Sequence, residues 1–276
     1  IMPVYNMGLD AEGEPFLSME LIPGDSLKSI IRKLQDGDDH YCKNYPIEQL
    51  LNIFMKVCDA IAYAHSRNVL HLDIKPDNIR VGEFGEVLVC DWGLARVVNS
   101  EDEYGGEDAT ELDGDILNDM TLSGTMKGTP GFMAPEQTQA YGAKTAQTDI
   151  YSLGALLYIL LTFKLPVEGK SANEVIQNTR AGNVISPRRR RPDRRVPKSL
   201  VAVIVKALAL DAKDRYEGVL DLRREIRQFL SGRPTSAEHA GWFTKTSLLL
   251  QRHSRFAFIL IFFLMVLAFV IGGNLI

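Results

Sequence analysis

Cysteine is scarce, three in 276 residues, and Cys42, Cys58 and Cys90 fall into no CxxC or Cys/His spacing. That removes a disulfide framework, a redox pair and a thiolate metal site. The three read as reduced thiols, with Cys90 a small hydrophobe in an apolar strand pattern. An excess of basic charge is also missing. A formal net charge of −4 speaks against a nucleic-acid binder that works by bulk charge. The chain has neither a Met at position 1 nor a secretory leader, so it is read as a piece of a longer protein. Long apolar runs are lacking over most of its length. Residues 150–161 make only twelve, interrupted by Ser152 and Gly154, a length that suits a buried core helix rather than a membrane span.

One apolar run is long enough for a bilayer. Residues 256–276 carry no charge over 21 positions, about 31 Å as a helix, and the stretch has no polar stripe of the kind a packed surface helix shows. A single transmembrane helix is predicted there. Lys245, Arg252 and Arg255 precede it, which places the preceding part in the cytoplasm.

Two short alternating runs, 3–7 and 16–21, flank turn chemistry at 10–14 and predict a β-hairpin. A lone hairpin is marginal in water, so it is expected to be the edge of a larger sheet. From Ser26 onward, apolar residues recur at spacings of three and four over 27–34, 47–66, 148–162, 172–180, 200–210 and 219–230, the pattern of a helical lobe. The pairs 79–81 and 87–89 bracket Gly82-Glu83-Phe84-Gly85 as a second hairpin. Residues 99–120 hold nine Asp/Glu and no Lys or Arg and read as a solvated loop. The six arginines within 186–195 lie between helices and beside prolines; they are read as a solvated connecting loop, with contact to an anionic membrane surface the alternative.

The chemistry concentrates in His71-Leu72-Asp73-Ile74-Lys75-Pro76-Asp77-Asn78, followed thirteen residues later by Asp91-Trp92-Gly93. A carboxylate, a cation and two oxygen ligands at fixed spacing are what phosphoryl transfer requires. Charge on the moving phosphate must be neutralised, and the attacking hydroxyl must be oriented and deprotonated. Downstream stands Gly128-Thr129-Pro130-Gly131-Phe132-Met133-Ala134-Pro135-Glu136. In order and spacing these segments resemble the catalytic loop, the metal-binding motif and the end of the activation segment of Hanks-type (eukaryotic-like) Ser/Thr protein kinases, of the bacterial membrane-anchored kind. The resemblance covers residues 1–231.

The resemblance implies an α+β protein-kinase-like fold, mainly the α-helical C-lobe with a small-lobe strand remnant, joined to the C-terminal transmembrane helix. It implies four segments: 1–22 as the last small-lobe strands and hinge, 23–231 as the C-lobe, 232–255 as a basic juxtamembrane stretch, and 256–276 as the span. The glycine-rich loop, strand Lys and partner Glu of the family would lie upstream of Ile1, and residues 1–276 alone are expected to be inactive. By the same resemblance Asp73 is the base, Lys75 a charge on the transferring phosphate, and Asn78 and Asp91 ligands of Mg²⁺. Thr129 would link to Asp73 and Lys75. Met19, Glu20 and Ile22 would form the hinge that reads adenine, with Arg80 under the base where an apolar residue is usual. Asp149 would anchor the catalytic loop, Arg215 would pair with Glu136, and His71 would pack and hydrogen-bond.

Leu72 replaces the usual Arg that clasps an activation-loop phosphate, so phosphorylation of that loop, at Thr121, Ser123 or Thr125, is not expected to be required. Trp92 replaces the usual Phe. The activity implied is transfer of the ATP γ-phosphate to Ser/Thr hydroxyls of proteins, with ATP and Mg²⁺, by a single-pass inner-membrane protein whose kinase domain is cytoplasmic. Its partners would be a Ser/Thr-bearing protein, the membrane and, in a homodimer, a second copy; no nucleic acid is expected. The alternative is a pseudokinase or scaffold that keeps the fold without the chemistry.

Overall fold

The computed structural model describes residues 4–9, 14–19, 24–98, 130–139 and 142–238. The segments 99–120 and 256–276, Thr121, Ser123, Thr125, Thr129, Glu20 and Ile22 lie outside them. The chain opens with strands β1 (Val4–Leu9) and β2 (Pro15–Met19), paired antiparallel from Val4 opposite Met19 to Leu9 opposite Pro15. Tyr5, Leu9 and Phe16 are exposed on this hairpin.

A two-residue strand β3 (Asp25–Ser26) leads into helix α1 (Leu27–Gln35), where the Ser26 hydroxyl accepts from the Ser29 N–H and caps the first turn. Leu27, Ile30, Ile31 and Leu34 bury one face of α1, the spacing that an amphipathic helix dictates. A short α2 (Asp39–Asn44), capped by the Asp38 carboxylate, was not anticipated by its polar sequence. Helix α3 (Ile47–His65) follows.

Strand β4 (Val69–Leu70), the hairpin β5 (Ile79–Val81) and β6 (Val87–Val89), and β7 (Arg96–Val97) complete the strands. β5 pairs with both β3 and β6, and β4 with β7, so the loop 71–78 and the turn 90–95 emerge side by side. At Gly24, φ is +106° and an added Cβ would come within 2.2 Å of the Val81 carbonyl oxygen. Only glycine allows that approach.

The core is centred on α4 (Ala146–Thr162), whose residues Thr148–Tyr158 and Leu160–Thr162 are all buried. α3 packs on one side of it, and the later helix Lys198–Ala207 packs on another. Being covered on several sides, α4 is apolar all round, which is why its twelve-residue run belongs to a core rather than a bilayer. Helices α5 (Ala172–Arg180), α6 (Pro187–Arg190), α7 (Lys198–Ala207) and α8 (Val219–Leu230) follow, with α8 against α3. α7 ends at Ala207, three residues before the end its apolar spacing suggests. Among the described residues no helix is long and apolar enough to cross a membrane.

The arginine-rich stretch is exposed at Arg188, Arg189 and Arg195, as a solvated loop would be, but Pro187–Arg190 forms a helical turn. Four of its side chains turn back on the protein: Arg188 Nε donates to the Val196 carbonyl at 3.1 Å, Arg190 pairs with Glu168, Arg191 pairs with Asp193 at 2.7 Å, and Arg194 stacks on the Phe163 ring at 3.8 Å. The planar guanidinium satisfies carbonyls and covers an aromatic face in one side chain, so the run binds two loops together.

Candidate active site

The loop between β4 and β5 is held from three directions. Asp149, near the start of α4 and fully buried, accepts the backbone N–H of His71 at 2.9 Å on Oδ2 and that of Leu72 at 2.8 Å on Oδ1. His65 Nε2, at the end of α3, lies 2.8 Å from the same Oδ2. These contacts fix the two residues before Asp73. Leu72 is left-handed, φ +63°, a conformation that costs a side-chain-bearing residue about 1–2 kcal/mol and persists only where the surroundings over-determine it.

The tautomer of His71 follows from its neighbours. The Asp73 N–H donates to Nδ1 at 3.3 Å, so the proton sits on Nε2, which donates to the Cys90 carbonyl at 3.3 Å. Burial pushes the imidazole pKa below its usual value, against the pull of Asp149. The neutral ring packs on Trp92 at 4.4 Å between centroids, and the Trp92 indole donates to the Val89 carbonyl at 3.2 Å. The structural role expected of His71 is what the geometry gives.

Asp73, Lys75 and Asn78 come together. Lys75 Nζ donates to Asp73 Oδ2 at 2.7 Å, and Asn78 Nδ2 donates to both Oδ2 and the backbone oxygen of Asp73, each at 2.9 Å. Asp73 is thereby a carboxylate with Oδ2 engaged and with no hydrogen bond to Oδ1 among the described residues, the oxygen a hydroxyl could meet. Because the Asn78 amide spends its Nδ2 on Asp73, its Oδ1 is the atom left for a cation. The Cys90 N–H donates to the Asn78 carbonyl at 2.8 Å, so the hairpin brings Asn78 next to Cys90 and hence to Asp91 at its open end. Asp91 is exposed and left-handed, φ +59°, with the Gly93 N–H at 3.4 Å from Oδ1. An amide oxygen and a carboxylate at one place are hard donors of the kind Mg²⁺ takes alongside phosphate oxygens. Among the described residues no group of three His, Cys, Asp or Glu could enclose a metal by itself.

Of the residues predicted to contact nucleotide, Met19 ends β2. Arg80 directs its guanidinium to the Gly24 carbonyl at 2.7 Å, which lays the side chain along β3.

The segment 130–138 is joined to the large lobe by Glu136. Arg215 grips its two carboxylate oxygens at 2.7 and 2.9 Å, and the Thr148 hydroxyl donates to Oε1 at 2.9 Å. The remaining Arg215 donors go to the carbonyls of Ala209, Gln147 and Leu210. Burial alone would raise the Glu136 pKa, but the Arg215 guanidinium holds it below its usual value. Gly142 lets the chain pass within 2.0 Å, measured from an added Cβ, of the Glu136 carbonyl oxygen. Two contributors escaped the sequence reading. His65 reaches Asp149 from 84 positions away, and the Gln137 side chain donates to the Leu72 carbonyl at 2.8 Å while accepting the Ala134 N–H at 2.9 Å. Neither His at a helix end nor Gln after a Pro-Glu pair carries a local signal for such long-range bonds.

Comparison with known sequences agrees with this arrangement. Residues 4–225 match the protein kinase domain. The chain is 39% identical over 240 residues to the serine/threonine-protein kinase PknD of Protochlamydia amoebophila, covering 84% of this chain and 24% of that protein. It is 34% identical to the PknD of Chlamydia felis over 91% of this chain and 26% of the relative, and 33% identical to that of Chlamydia trachomatis serovar L2b over 92% and 27%. The chain spans about a quarter of the length of these curated relatives. With the catalytic loop, the hairpin and the Glu136–Arg215 clamp in one lobe, and the match running through nearly all of it, this chain belongs to the protein kinase family, in the Hanks-type branch of bacterial Ser/Thr kinases.

Proposed function

We propose that the protein of which this chain is part transfers the γ-phosphate of ATP to Ser or Thr hydroxyls of proteins. The observation that carries the reading is the Asp73–Lys75–Asn78 cluster on a loop whose backbone is fixed from beneath by Asp149. Asp73 orients the acceptor hydroxyl and takes its proton as the oxygen attacks phosphorus, leaving ADP. Lys75, beside that carboxylate, offers its ammonium to the oxygens of the moving phosphoryl group. Asn78 and Asp91 would hold Mg²⁺, which neutralises phosphate charge when bound. Such positioned electrostatics, not covalent chemistry by the protein, account for most phosphoryl-transfer catalysis.

Because the loop is shaped by Asp149 and Leu72 carries no charge, activity should not depend on a phosphate in 99–129. Anchoring through 256–276 with the kinase domain in the cytoplasm belongs to the same reading; it is supported by the 21 uncharged residues and the basic residues before them.

The decisive test is Asp73→Asn in the full-length protein, assayed for Mg-ATP-dependent phosphorylation of itself and of casein. Loss of the base is expected to lower kcat by about 10²–10⁴-fold with the melting temperature retained. Undiminished transfer would sink the reading, and no transfer by the wild type under any divalent cation would leave a scaffold.

A further inference from the structure

The carbonyl and the N–H of Leu72, the left-handed residue next to Asp73, are both bonded to side chains from outside the loop. Asp149 takes the N–H at 2.8 Å. The carbonyl is taken by Gln137, a residue of the 3₁₀ turn Pro135–Thr138 and only 8% exposed. The other end of the same amide accepts the Ala134 N–H at 2.9 Å. Ala134 lies in the short segment that starts at Pro130, which the Ser152 hydroxyl ties down at the Phe132 carbonyl at 2.8 Å.

We infer that Gln137 is a positioning residue for phosphoryl transfer, a two-ended amide bridge that sets the distance between the loop carrying Asp73 and the segment 130–138. The inference rests on the kinase reading, in which that segment presents the protein substrate. The bridge needs an acceptor and a donor at once in a buried place, and an amide supplies both without a charge to desolvate. Glutamate keeps the acceptor toward Ala134 but faces the Leu72 carbonyl with a second acceptor. Methionine keeps the length and loses both bonds. Glu136, the neighbouring residue, is occupied with Arg215 and Thr148, so it offers no substitute.

The experiment compares Gln137→Glu and Gln137→Met with the wild type in the full-length protein, with Mg-ATP and casein as substrates and amide hydrogen exchange as a readout that needs no activity. A bridge predicts that Gln137→Glu lowers kcat by about 100-fold, the scale of an ångström of misplacement, with the KM for ATP little changed. It also predicts that the ratio of variant to wild-type rate climbs as pH falls, because protonation of the introduced carboxyl restores a donor to Leu72. Exchange should quicken at 71–74 in both variants, and at Ala134 only in Gln137→Met. If the wild type transfers no phosphate, the kinase reading fails while the exchange pattern still decides the bridge. Unaltered exchange, or in an active protein an unaltered kcat or a rate ratio flat with pH, would overturn it, as would a fall in melting temperature that accounts for all the lost activity.

Discussion

Two carboxylates, the fully buried Asp149 and the half-buried Glu136, sit thirteen residues apart in the same lobe and are satisfied in opposite ways. Asp149 receives two backbone N–H groups and a histidine; Glu136 receives an arginine and a threonine hydroxyl. Charge-assisted bonds to N–H groups dictate the path of a backbone, and here that path includes the left-handed Leu72. A forked ion pair joins two distant pieces of chain with little say over their local shape. The region around Asp149 therefore governs catalytic geometry, while the region around Glu136 governs cohesion.

The contrast breaks most visibly at Arg215. Arg215→Met strands the Glu136 charge in a largely buried site, and a loss of roughly 3–5 kcal/mol is expected, read by urea denaturation. Titration sharpens the same point. Glu136 has its pKa held below the ordinary 4.5, so its contribution to stability is complete above that value and is lost as pH falls through the lowered folded pKa. The acid limb of melting temperature against pH should flatten in Glu136→Gln; an unchanged limb would mean that the ion pair stabilises nothing.

Asp149→Asn comes next. The amide retains one acceptor oxygen and turns the other position into a donor facing an N–H, so about 1–3 kcal/mol of stability should go. The larger effect should fall on kcat, the reverse of the Arg215 variant. Equal damage to stability and turnover in the two variants would erase the distinction.

The smallest expected effect is a coupling. Leu72→Gly removes the penalty of the left-handed backbone, so the cost of Asp149→Asn in that background should shrink by about 1 kcal/mol. A strictly additive double-mutant cycle would show that Asp149 does not bear the strain of Leu72.

Much of this site can be read from the chain because its chemistry is local. Asp73, Lys75 and Asn78 lie within six residues, and the turn residues 82–85 announce the hairpin that returns Asp91 to Asn78. Helices α1, α3, α5 and α8 follow from apolar spacing within a residue or so of their ends. α2 and α6 do not, since Asp39–Asn44 buries no side chain and Pro187–Arg190 is nearly all arginine. The arginine stretch is legible only in part, exposed as expected at Arg188, Arg189 and Arg195 but partnered at Arg190, Arg191 and Arg194. Charge run alone predicts solvation, whereas Phe163, Glu168 and the Val196 carbonyl supply partners that no window of sequence displays.

What the amino-acid sequence determined by itself is the chemical inventory, its order, and the helix and hairpin pattern, because periodicity and turn chemistry act over a few residues. Tertiary structure alone decided which neutral form His71 adopts, that Asn78 turns Oδ1 outward, that Leu72 is held left-handed, and that Gln137 spans from the segment 130–138 to the catalytic loop. The His71, Leu72 and Gln137 features depend on bonds between groups 19 to 77 positions apart and the Asn78 feature on bonds to Asp73, in a loop that takes its shape only once the core around α4 has closed.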